Sequence, residues 1–333
     1  MGALILSIAA KELNKVRPLS VKMHINQMKN RIEKSRSVGE VDSFFRKRAF
    51  FLFGGFADED YFSTMSKPDN TIISADTITK LGPDSQAAVI VSGSHGGVYP
   101  AYLARKAGAR AVILNDAGIG KDQAGIASLA YSQRHGMAAA VVDYRSARIG
   151  DTADMLENGV ISACNAQAND ANCWPGMPCL EAAYRLCAAP LSNTPVEPYA
   201  EARGFIASNG PRRVIVVDSV SLVLPDDFDQ IVVTGSHGGL VGGNKAAALK
   251  VDAFAVVYND AGIGKDRAGI SRLPALAERG ILAATVAASS AGIGNARSSY
   301  EDGRVSALNE PALRAGVVIG MPLRELVAQW QQL

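Results

Sequence analysis

An internal repeat is the feature that most constrains how this chain can fold. The segment SGSHGG at 92–97 returns as TGSHGG at 234–239, and NDAGIGKDQAGI at 115–126 returns as NDAGIGKDRAGI at 259–270. The first pair is separated by 142 positions and the second by 144, so the second copy has gained two residues between the blocks. Two copies are too few for a solenoid and favour a pseudo-symmetric pair of similar units.

The repeat divides the chain into an N-terminal extension at 1–64, a first repeat at 65–190, a linker at 191–212 and a second repeat at 213–333. The extension has no counterpart in the repeat, and it carries eleven basic and four acidic residues between Lys11 and Arg48. This composition fits either a basic arm that binds a membrane or partner, or a loosely attached helical extension. We expect the basic helical extension.

Within each copy, short runs rich in Val, Ile and Ala alternate with helical stretches. In the first copy we expect strands near 71–75, 87–92, 110–114 and 138–142, and helices near 98–107, 123–135, 151–167 and 178–188. The strand runs are continuously apolar, which indicates strands covered on both faces. The pattern therefore predicts an α/β fold of two tandem repeats, each a flavodoxin-like or Rossmann-like parallel sheet with flanking helices, paired pseudo-symmetrically.

The composition indicates a soluble globular protein. Hydrophobic residues make up 48% of the chain and charged residues 20%, and the formal net charge is only +2. A net charge this small gives no positive electrostatic potential that would attract nucleic acid. No apolar run approaches the roughly 18 to 20 residues needed to span a bilayer. We expect a small-molecule partner, no nucleic acid and no membrane span, and the composition leaves a homo-oligomer open.

Four cysteines lie within 24 residues, but their spacing does not match a metal site. The matching positions of the second copy replace them as follows: Cys164 by Leu308, Cys173 by Val317, Cys179 by Leu323 and Cys187 by Gln331. Three aliphatic equivalents indicate that the cysteines are small buried hydrophobes. A reducing, cytoplasmic location is the resulting expectation.

The motifs that both copies keep follow the ends of predicted strands. In open parallel sheets, ligands bind outside the carboxyl ends of the strands. The glycines Gly96, Gly97, Gly238 and Gly239 allow a tight turn and present N–H groups suited to a carboxylate, a phosphate or an oxyanion. His95 and His237 lie between the strand and the glycines. At this position a histidine can carry a proton, donate to an oxyanion or bind a metal, or it can simply cap the turn.

The NDAGIGKD segments supply further candidates, two of each kind: Asn115 and Asn259 for substrate binding, Asp116 and Asp260 as catalytic carboxylates, and Lys121 and Lys265 as an anion clamp or base. The segment does not match a phosphate loop, which needs glycine where Asn115 stands and a hydroxyl where Asp122 stands. Asparagine, aspartate and lysine at a strand end therefore favour acid–base chemistry on an anionic small molecule.

Two further sets of residues bear on the mechanism. Ser94 and Ser236 directly precede the histidines, so on an extended strand they point to the opposite face. A Ser–Lys dyad or a contact across the two repeats stays open for these serines. Arg145 and Arg148 follow the fourth predicted strand of the first copy, where the second copy has Ser289 and Gly292. This asymmetry indicates an arginine that holds a substrate carboxylate on one side.

The sequence favours a small-molecule hydrolase of amide or lactone bonds, with its site in the cleft between the repeats and histidine and aspartate as proton carriers. The alternatives are an isomerase or racemase with paired acid/base groups, and a non-catalytic protein that binds a small ligand or nucleotide. We expect no cofactor. A divalent metal held by His95, His237, Asp116 and Asp260 is chemically sensible, although no local ligand spacing supports it.

Overall fold

A computed structural model describes residues 71–208 and 210–333, so the predicted extension at 1–64 lies outside the described residues. The described residues belong to one compact unit, Asn70–Leu333. Its first sheet consists of β1 (Ile72–Ala75), β2 (Val89–His95), β3 (Ala111–Asn115), β4 (Ala138–Val142) and β5 (Ile161–Cys164). The helices of this half are α1 (Val98–Lys106), α2 (Ala127–Arg134), α3 (Thr152–Asn158), α4 (Ala166–Asp170) and α5 (Cys179–Leu186).

The second sheet has six strands. These are β6 (Arg203–Ile206), β7 (Val214–Val217), β8 (Ile231–His237), β9 (Ala255–Asn259), β10 (Leu282–Val286) and β11 (Val305–Leu308). The helices of this half are α6 (Arg272–Ala277), α7 (Ala296–Asp302), α8 (Glu310–Arg314) and α9 (Leu323–Trp330). Short 3-10 turns complete the two halves, at Ile78–Lys80, Pro83–Ser85, Lys121–Ile126, Val220–Leu222, Pro225–Asp227, Lys245–Ala247 and Lys265–Ile270. No helix of the described residues is long and apolar enough to cross a membrane.

Both sheets are mainly parallel, and their strands are ordered consecutively. Strands β1 to β4 are parallel neighbours, and β5 adds to β4 in the antiparallel sense. Strands β7 to β10 repeat this arrangement, with antiparallel β6 and β11 at the two edges. Flavodoxin-like and Rossmann-like sheets reverse their strand order at a switch point. The expected flavodoxin-like or Rossmann-like order is therefore wrong, whereas the α/β class is confirmed.

The continuous apolar runs are explained by burial of both sheet faces. Val89 and Val91 pack in one core of the first half, whereas Ile90 and Val112 pack in a second core on the opposite face. The second sheet divides its strand residues between two cores in the same way. Neighbouring strand residues point to opposite faces, so both sets must be apolar. The prediction that the strands are covered on both faces is confirmed for β2 to β4, whereas β1, at the edge of the sheet, is only partly buried.

The predicted helix at 151–167 is correct for its first half only. Helix α3 ends at Asn158, and Gly159 leads the chain out through a bond from its N–H to the Met155 carbonyl. The next residues, Ile161–Cys164, form β5 because they pair with the exposed edge of β4. The edge of a sheet thus overrides a weak helical pattern in a segment that contains a glycine. The other three helices and the four strands lie where the sequence predicts them, apart from shifts at their ends.

The cysteines have the surroundings that the second copy predicts. All four are free, and three of them, Cys173, Cys179 and Cys187, are buried in the first-half core. Burial raises the pKa of the Cys179 thiol to about 12. These thiols therefore act as small apolar groups in the core.

Candidate functional site

The two NDAGIGKD loops pack directly on each other. A Cβ at Gly118 would lie 2.9 Å from the Cα of Gly262, so only glycine permits this approach. Around the contact lies a small apolar cluster drawn from both repeats: Ala117, Ile149, Ala261, Ala268 and Ile293. We call this contact between the loops at 116–123 and 260–267 the seam. Much of the cleft expected from the sequence is therefore occupied by packed loop residues.

Backbone hydrogen bonds join the repeats across the seam in matching pairs. The Lys121 N–H donates to the Ala288 carbonyl over 2.8 Å, and the Lys265 N–H donates to the Tyr144 carbonyl over 2.9 Å. Lys121 corresponds to Lys265 in the repeat, and Tyr144 corresponds to Ala288. Each loop is thus anchored to the segment that follows the fourth parallel strand of the other repeat.

The seam loops adopt an unusual backbone. Four non-glycine residues of each loop have left-handed φ angles, with values that agree within 4° between the copies: Ala117 49° and Ala261 49°, Ile119 62° and Ile263 66°, Asp122 54° and Asp266 52°, Gln123 56° and Arg267 57°. Such a conformation costs roughly 1–2 kcal/mol for each residue with a side chain. The surrounding contacts must compensate for this cost, and residues held in this way are frequent at functional sites.

The asparagines use their polar groups inside the fold. Asn115 Oδ1 accepts from the Ala117 N–H, and Asn115 Nδ2 donates to the Ala147 carbonyl. Asn259 makes the equivalent bonds to Ala261 and Ala291, and both side chains are completely buried. They therefore shape the seam loops and offer no polar atom to a substrate.

The aspartates Asp116 and Asp260 are buried at the starts of the seam loops. Asp116 Oδ1 accepts from the N–H groups of Gly118 and Tyr144, and Oδ2 accepts from Ser162 Oγ over 2.8 Å. Burial raises the pKa of the Asp116 carboxyl, although these three hydrogen bonds oppose the shift. Asp260 Oδ1 accepts from the corresponding N–H groups of Gly262 and Ala288. The Asp116 carboxyl therefore holds a proton more tightly than a carboxyl in water.

The lysines reach across the seam to acids of the opposite repeat. Lys121 Nζ lies 2.6 Å from Asp302 Oδ2, and Lys265 Nζ lies 2.7 Å from Asp154 Oδ1. Burial alone would raise the pKa of Asp154, but the bonds from Lys265 and from the Arg148 N–H lower it. Sequence reasoning missed both acids because they are not at equivalent positions. The sequence does contain a signal for them. Asp154 corresponds to Ser298 in the second repeat, and Asn158 corresponds to Asp302, so each repeat has one acid but at a different position.

The histidines are neutral and fixed in one tautomer. His95 Nδ1 accepts from the Gly97 N–H over 3.1 Å, and His237 Nδ1 accepts from the Gly239 N–H over 3.2 Å. Since Nδ1 is an acceptor, the ring proton is on Nε2. Burial lowers the pKa of His95 to about 4, and burial followed by the charges of Arg272 and His95 lowers the pKa of His237 well below its usual range. Each ring can donate from Nε2 at neutral pH.

His95 lies against the opposite repeat. A Cβ at Gly294 would be 3.2 Å from His95 Cε1, and the Gly294 N–H donates to the Gly235 carbonyl two residues before His237. The electrostatic effect of His95 on the pKa of His237 is consistent with this placement. The structure therefore brings both SHGG loops to the junction of the repeats.

The serines and the loop glycines are also engaged inside the fold. Ser94 Oγ accepts from the Ile78 N–H over 3.0 Å, and Ser236 Oγ accepts from the Val220 N–H over 2.9 Å. The described residues contain no Ser–His or Ser–Lys hydrogen bond at either serine. The N–H groups of Gly96 and Gly238 donate to the carbonyls of Asn115 and Asn259, and those of Gly97 and Gly239 donate to the histidines. These four N–H groups are therefore committed to the turn.

An open groove lies beside the seam. It has a volume of about 400 Å³ and is lined by Tyr144 and Arg145 of the first repeat and by Gly262, Ile263, Gly264 and Lys265 of the second. The Arg145 side chain is 73% exposed and pairs with Asp143. Arg148 is bound to Asp151, Asp154 and Asp266. Of the two predicted substrate arginines, Arg145 is thus the one that lines the groove.

The Tyr144 ring forms a wall of the groove, which sequence reasoning did not assign. A Cβ at Gly262 would lie 2.7 Å from Tyr144 Cε2, so the ring lies directly on the glycine of the opposite loop. The signal was the replacement of Tyr144 by Ala288 in the second copy. An aromatic ring on one side only makes the groove asymmetric.

No protein-family model, curated protein or solved structure matches this chain.

Proposed function

We propose that the protein is a small-molecule hydrolase that cleaves an amide or lactone bond of a carboxylate-bearing substrate in the groove beside the seam. One observation carries the proposal: the groove of about 400 Å³ is built by both repeats, and the exposed Arg145 guanidinium stands on its rim. This volume is within the range of small-molecule sites. Nε and Nη2 of Arg145 already bind Asp143, so a substrate carboxylate would be bound by the remaining hydrogens on Nη1 and Nη2.

The residue roles follow from the protonation states. A neutral imidazole that carries its proton on Nε2 donates a hydrogen bond, so His95 and His237 suit a developing oxyanion better than proton transfer at neutral pH. Asp116, bound to the Tyr144 N–H behind the groove wall, is the candidate to accept the proton of an attacking water. Neither Ser94 nor Ser236 is hydrogen-bonded to a base in the described structure, so a water nucleophile is proposed.

This proposal is tested by comparing substrate turnover in two variants that each lose one arginine. A panel of carboxylated lactams and lactones should reveal turnover, and Arg145→Gln should raise KM at least tenfold with little change in kcat. Arg314→Gln is the matched control, because Arg314 is an exposed arginine that pairs with Glu310 on α8. Equal KM values for the two variants would contradict a carboxylate site at Arg145.

A second candidate is a non-catalytic protein that binds a small ligand in the same groove. The observation that favours it is the internal use of the polar groups of Asn115, Asn259, Ser94 and Ser236, which serve the loops. Such a protein would bind carboxylates with the same dependence on Arg145 and would turn over none of the panel. An isomerase with two histidine acid/base groups is disfavoured by the lowered pKa values of both rings.

We also propose that the two repeats are related by a pseudo-two-fold axis through the seam. The matching φ angles of the loops and the reciprocal bonds of Lys121 and Lys265 support this relation. A reducing, cytoplasmic location is proposed from the free cysteines.

A further inference from the structure

The edge strand that closes each parallel set carries a serine at a β-bulge. Strand β5 has one residue more than β4 between two successive pairs of the ladder, and this extra residue is Ser162. Strand β11 has the same irregularity against β10, at Ser306, which corresponds to Ser162 in the repeat. A bulge re-aims the side chain of its extra residue, and bulges are frequent next to active sites. Both repeats therefore turn one hydroxyl of the edge strand towards the strand beside it.

In the first half, the hydroxyl of Ser162 donates to the carboxylate of Asp116. Ser162 Oγ lies 2.8 Å from Asp116 Oδ2 and 3.3 Å from the Val141 carbonyl oxygen. Asp116 directly follows β3, and its N–H donates to the Val142 carbonyl of β4. The serine thus reaches across β4 to a carboxylate at the end of the next strand.

In the second half, the equivalent serine has a different partner. Ser306 Oγ lies 2.9 Å from Thr285 Oγ1 and 3.3 Å from the Thr285 carbonyl oxygen, and among the described residues it makes no bond to Asp260. Position 285 corresponds to Val141, which has no hydroxyl. Because Thr285 is completely buried, its hydroxyl must find a partner inside the fold, and Ser306 supplies it. Of the two described halves, the first alone has the serine–aspartate pair.

The pair determines which acceptor position of Asp116 stays open. An ionised carboxylate has about four acceptor positions, two on each oxygen. Oδ1 accepts from the N–H groups of Gly118 and Tyr144, whereas Oδ2 accepts from Ser162 alone among the described residues. Donors on both oxygens fix the plane of the carboxylate, and one position on Oδ2 is left for a proton. Asp260 has donors from the described residues on Oδ1 only.

We propose that Ser162 is a positioning residue that holds the Asp116 carboxylate in the orientation of a proton acceptor. This inference rests on the proposed hydrolase function. The oxygen of the attacking water forms a bond to the substrate carbonyl carbon while its proton passes to Asp116 Oδ2, and the leaving nitrogen or oxygen later takes that proton. Tyr144 and Arg145, which line the groove, belong to the same repeat and are replaced by Ala288 and Ser289 in the other. The serine–aspartate pair and the asymmetric wall of the groove thus occur in the same half.

The test is NMR titration of the Asp116 side-chain carboxyl carbon in the full-length protein. Loss of a donor destabilises the ionised carboxylate, so Ser162→Ala should raise the pKa of Asp116 by roughly one pH unit. Ser162→Thr keeps the hydroxyl and should leave this pKa close to its native value. The charges of Asp143 and Arg145 also interact with Asp116, and both residues are retained in these variants.

Two further variants are matched to the difference between the repeats. Ser306→Ala removes the equivalent serine, which binds Thr285, and should leave the pKa of Asp116 unchanged. Val141→Thr places a hydroxyl where the second repeat has one, so it should draw Ser162 away and raise the pKa of Asp116 as Ser162→Ala does. Circular dichroism and thermal midpoints verify that each variant is folded.

Turnover provides an independent measurement. The acid limb of kcat/KM against pH reports the base of the free enzyme, so in Ser162→Ala it should move upward together with the NMR midpoint. An unchanged Asp116 pKa in Ser162→Ala or Val141→Thr, or an equal shift in Ser306→Ala, would overturn this inference and leave the hydrolase function standing. The expected pKa shifts without turnover of any substrate would instead overturn the hydrolase function, and with it the catalytic role of the pair.

Discussion

At the scale of single residues, His95 and His237 show how burial determines chemistry that residue type leaves open. Sequence position predicted that both histidines follow a strand and enter a glycine turn, and the structure places them there. Proton carrier, oxyanion donor and metal ligand were equally compatible with that position. The bond from the Gly97 N–H and the loss of solvent fix the neutral Nε2–H form of His95. Neither effect can be read from the sequence, because both depend on neighbours that the fold supplies.

Protonation of His95 should destabilise the folded protein in acid. The folded state holds the His95 pKa near 4, whereas the unfolded chain titrates near 6.5. Between these values the unfolded state binds more protons, so the free energy of unfolding falls as pH drops from 7 to 4, by up to about 3 kcal/mol for this group. His95→Gln should flatten the dependence measured by urea unfolding, and an NMR titration midpoint above pH 6 would contradict the argument.

Glu201 should act in the opposite sense. Its pKa is about 7 in the folded state and near 4.5 in the unfolded chain, so folding is favoured as pH falls from 8 to 5. Glu201→Gln should therefore stabilise the protein at pH 8, by roughly 1 kcal/mol, and have little effect at pH 5. Urea unfolding at the two pH values measures this, with Glu197→Gln as the control. The same change at both pH values would show that desolvation of Glu201 is not the cause.

At the scale of elements, continuous apolar runs were sufficient to locate β2 to β4, because both faces of each of these strands are buried, and β1, whose Ile72 and Ile73 pack partly against the two cores. Strand β5 was missed because its residues lack a continuous apolar run and form a strand by pairing with the edge of β4. Helix α2 begins at Ala127 and not at 123, because Asp122 and Gln123 take left-handed angles. The local pattern of apolar residues thus predicts elements that contain a run of such residues. It fails where strand pairing or loop geometry determines the secondary structure.

The seam loops predict a difference between two glycine substitutions. Gly118→Ala would place a methyl group 2.9 Å from the Gly262 Cα at a φ of 75°, whereas Gly176→Ala has a φ of 90° but nothing within 4 Å. Backbone strain is common to both, so we expect a loss of about 1 kcal/mol for Gly176→Ala and about 3 kcal/mol for Gly118→Ala. Chemical denaturation measures both. Similar losses would mean that loop packing across the seam contributes little.

The lysine pairs predict a second contrast between the repeats. Lys265 binds Asp154, whose side chain is 2% exposed, whereas Lys121 binds Asp302, whose side chain is 43% exposed. Removing the partner of a buried carboxylate costs far more than removing an exposed partner. Lys265→Met should therefore lower the free energy of unfolding by about 2 kcal/mol, with Arg148 moderating the loss. Lys121→Met should leave it nearly unchanged, and equal effects would contradict this assignment of burial.

At the scale of the whole molecule, the repeat predicted which residues correspond but not how the two halves meet. Correspondence alone allowed an open cleft or two separate sites. The glycines Gly118 and Gly262 instead let the loops interlock, which closes much of the expected cleft and moves the candidate site to the groove at Tyr144 and Arg145. Most of the predicted site residues lie at the junction of the repeats. Many of them use their polar groups to hold the loops together and not to contact a substrate. Docking of two surfaces depends on shape, which a pattern of residue types does not encode.

The most direct test of this account is amide chemical-shift mapping of the protein titrated with glutarate, a small dicarboxylate. A site built jointly by both repeats predicts saturable shifts at 144–145 and at 262–265 together, with loss of both sets in Arg145→Gln. Shifts confined to one repeat, or shifts that persist in Arg145→Gln, would contradict the claim that the two halves form one anion-binding groove.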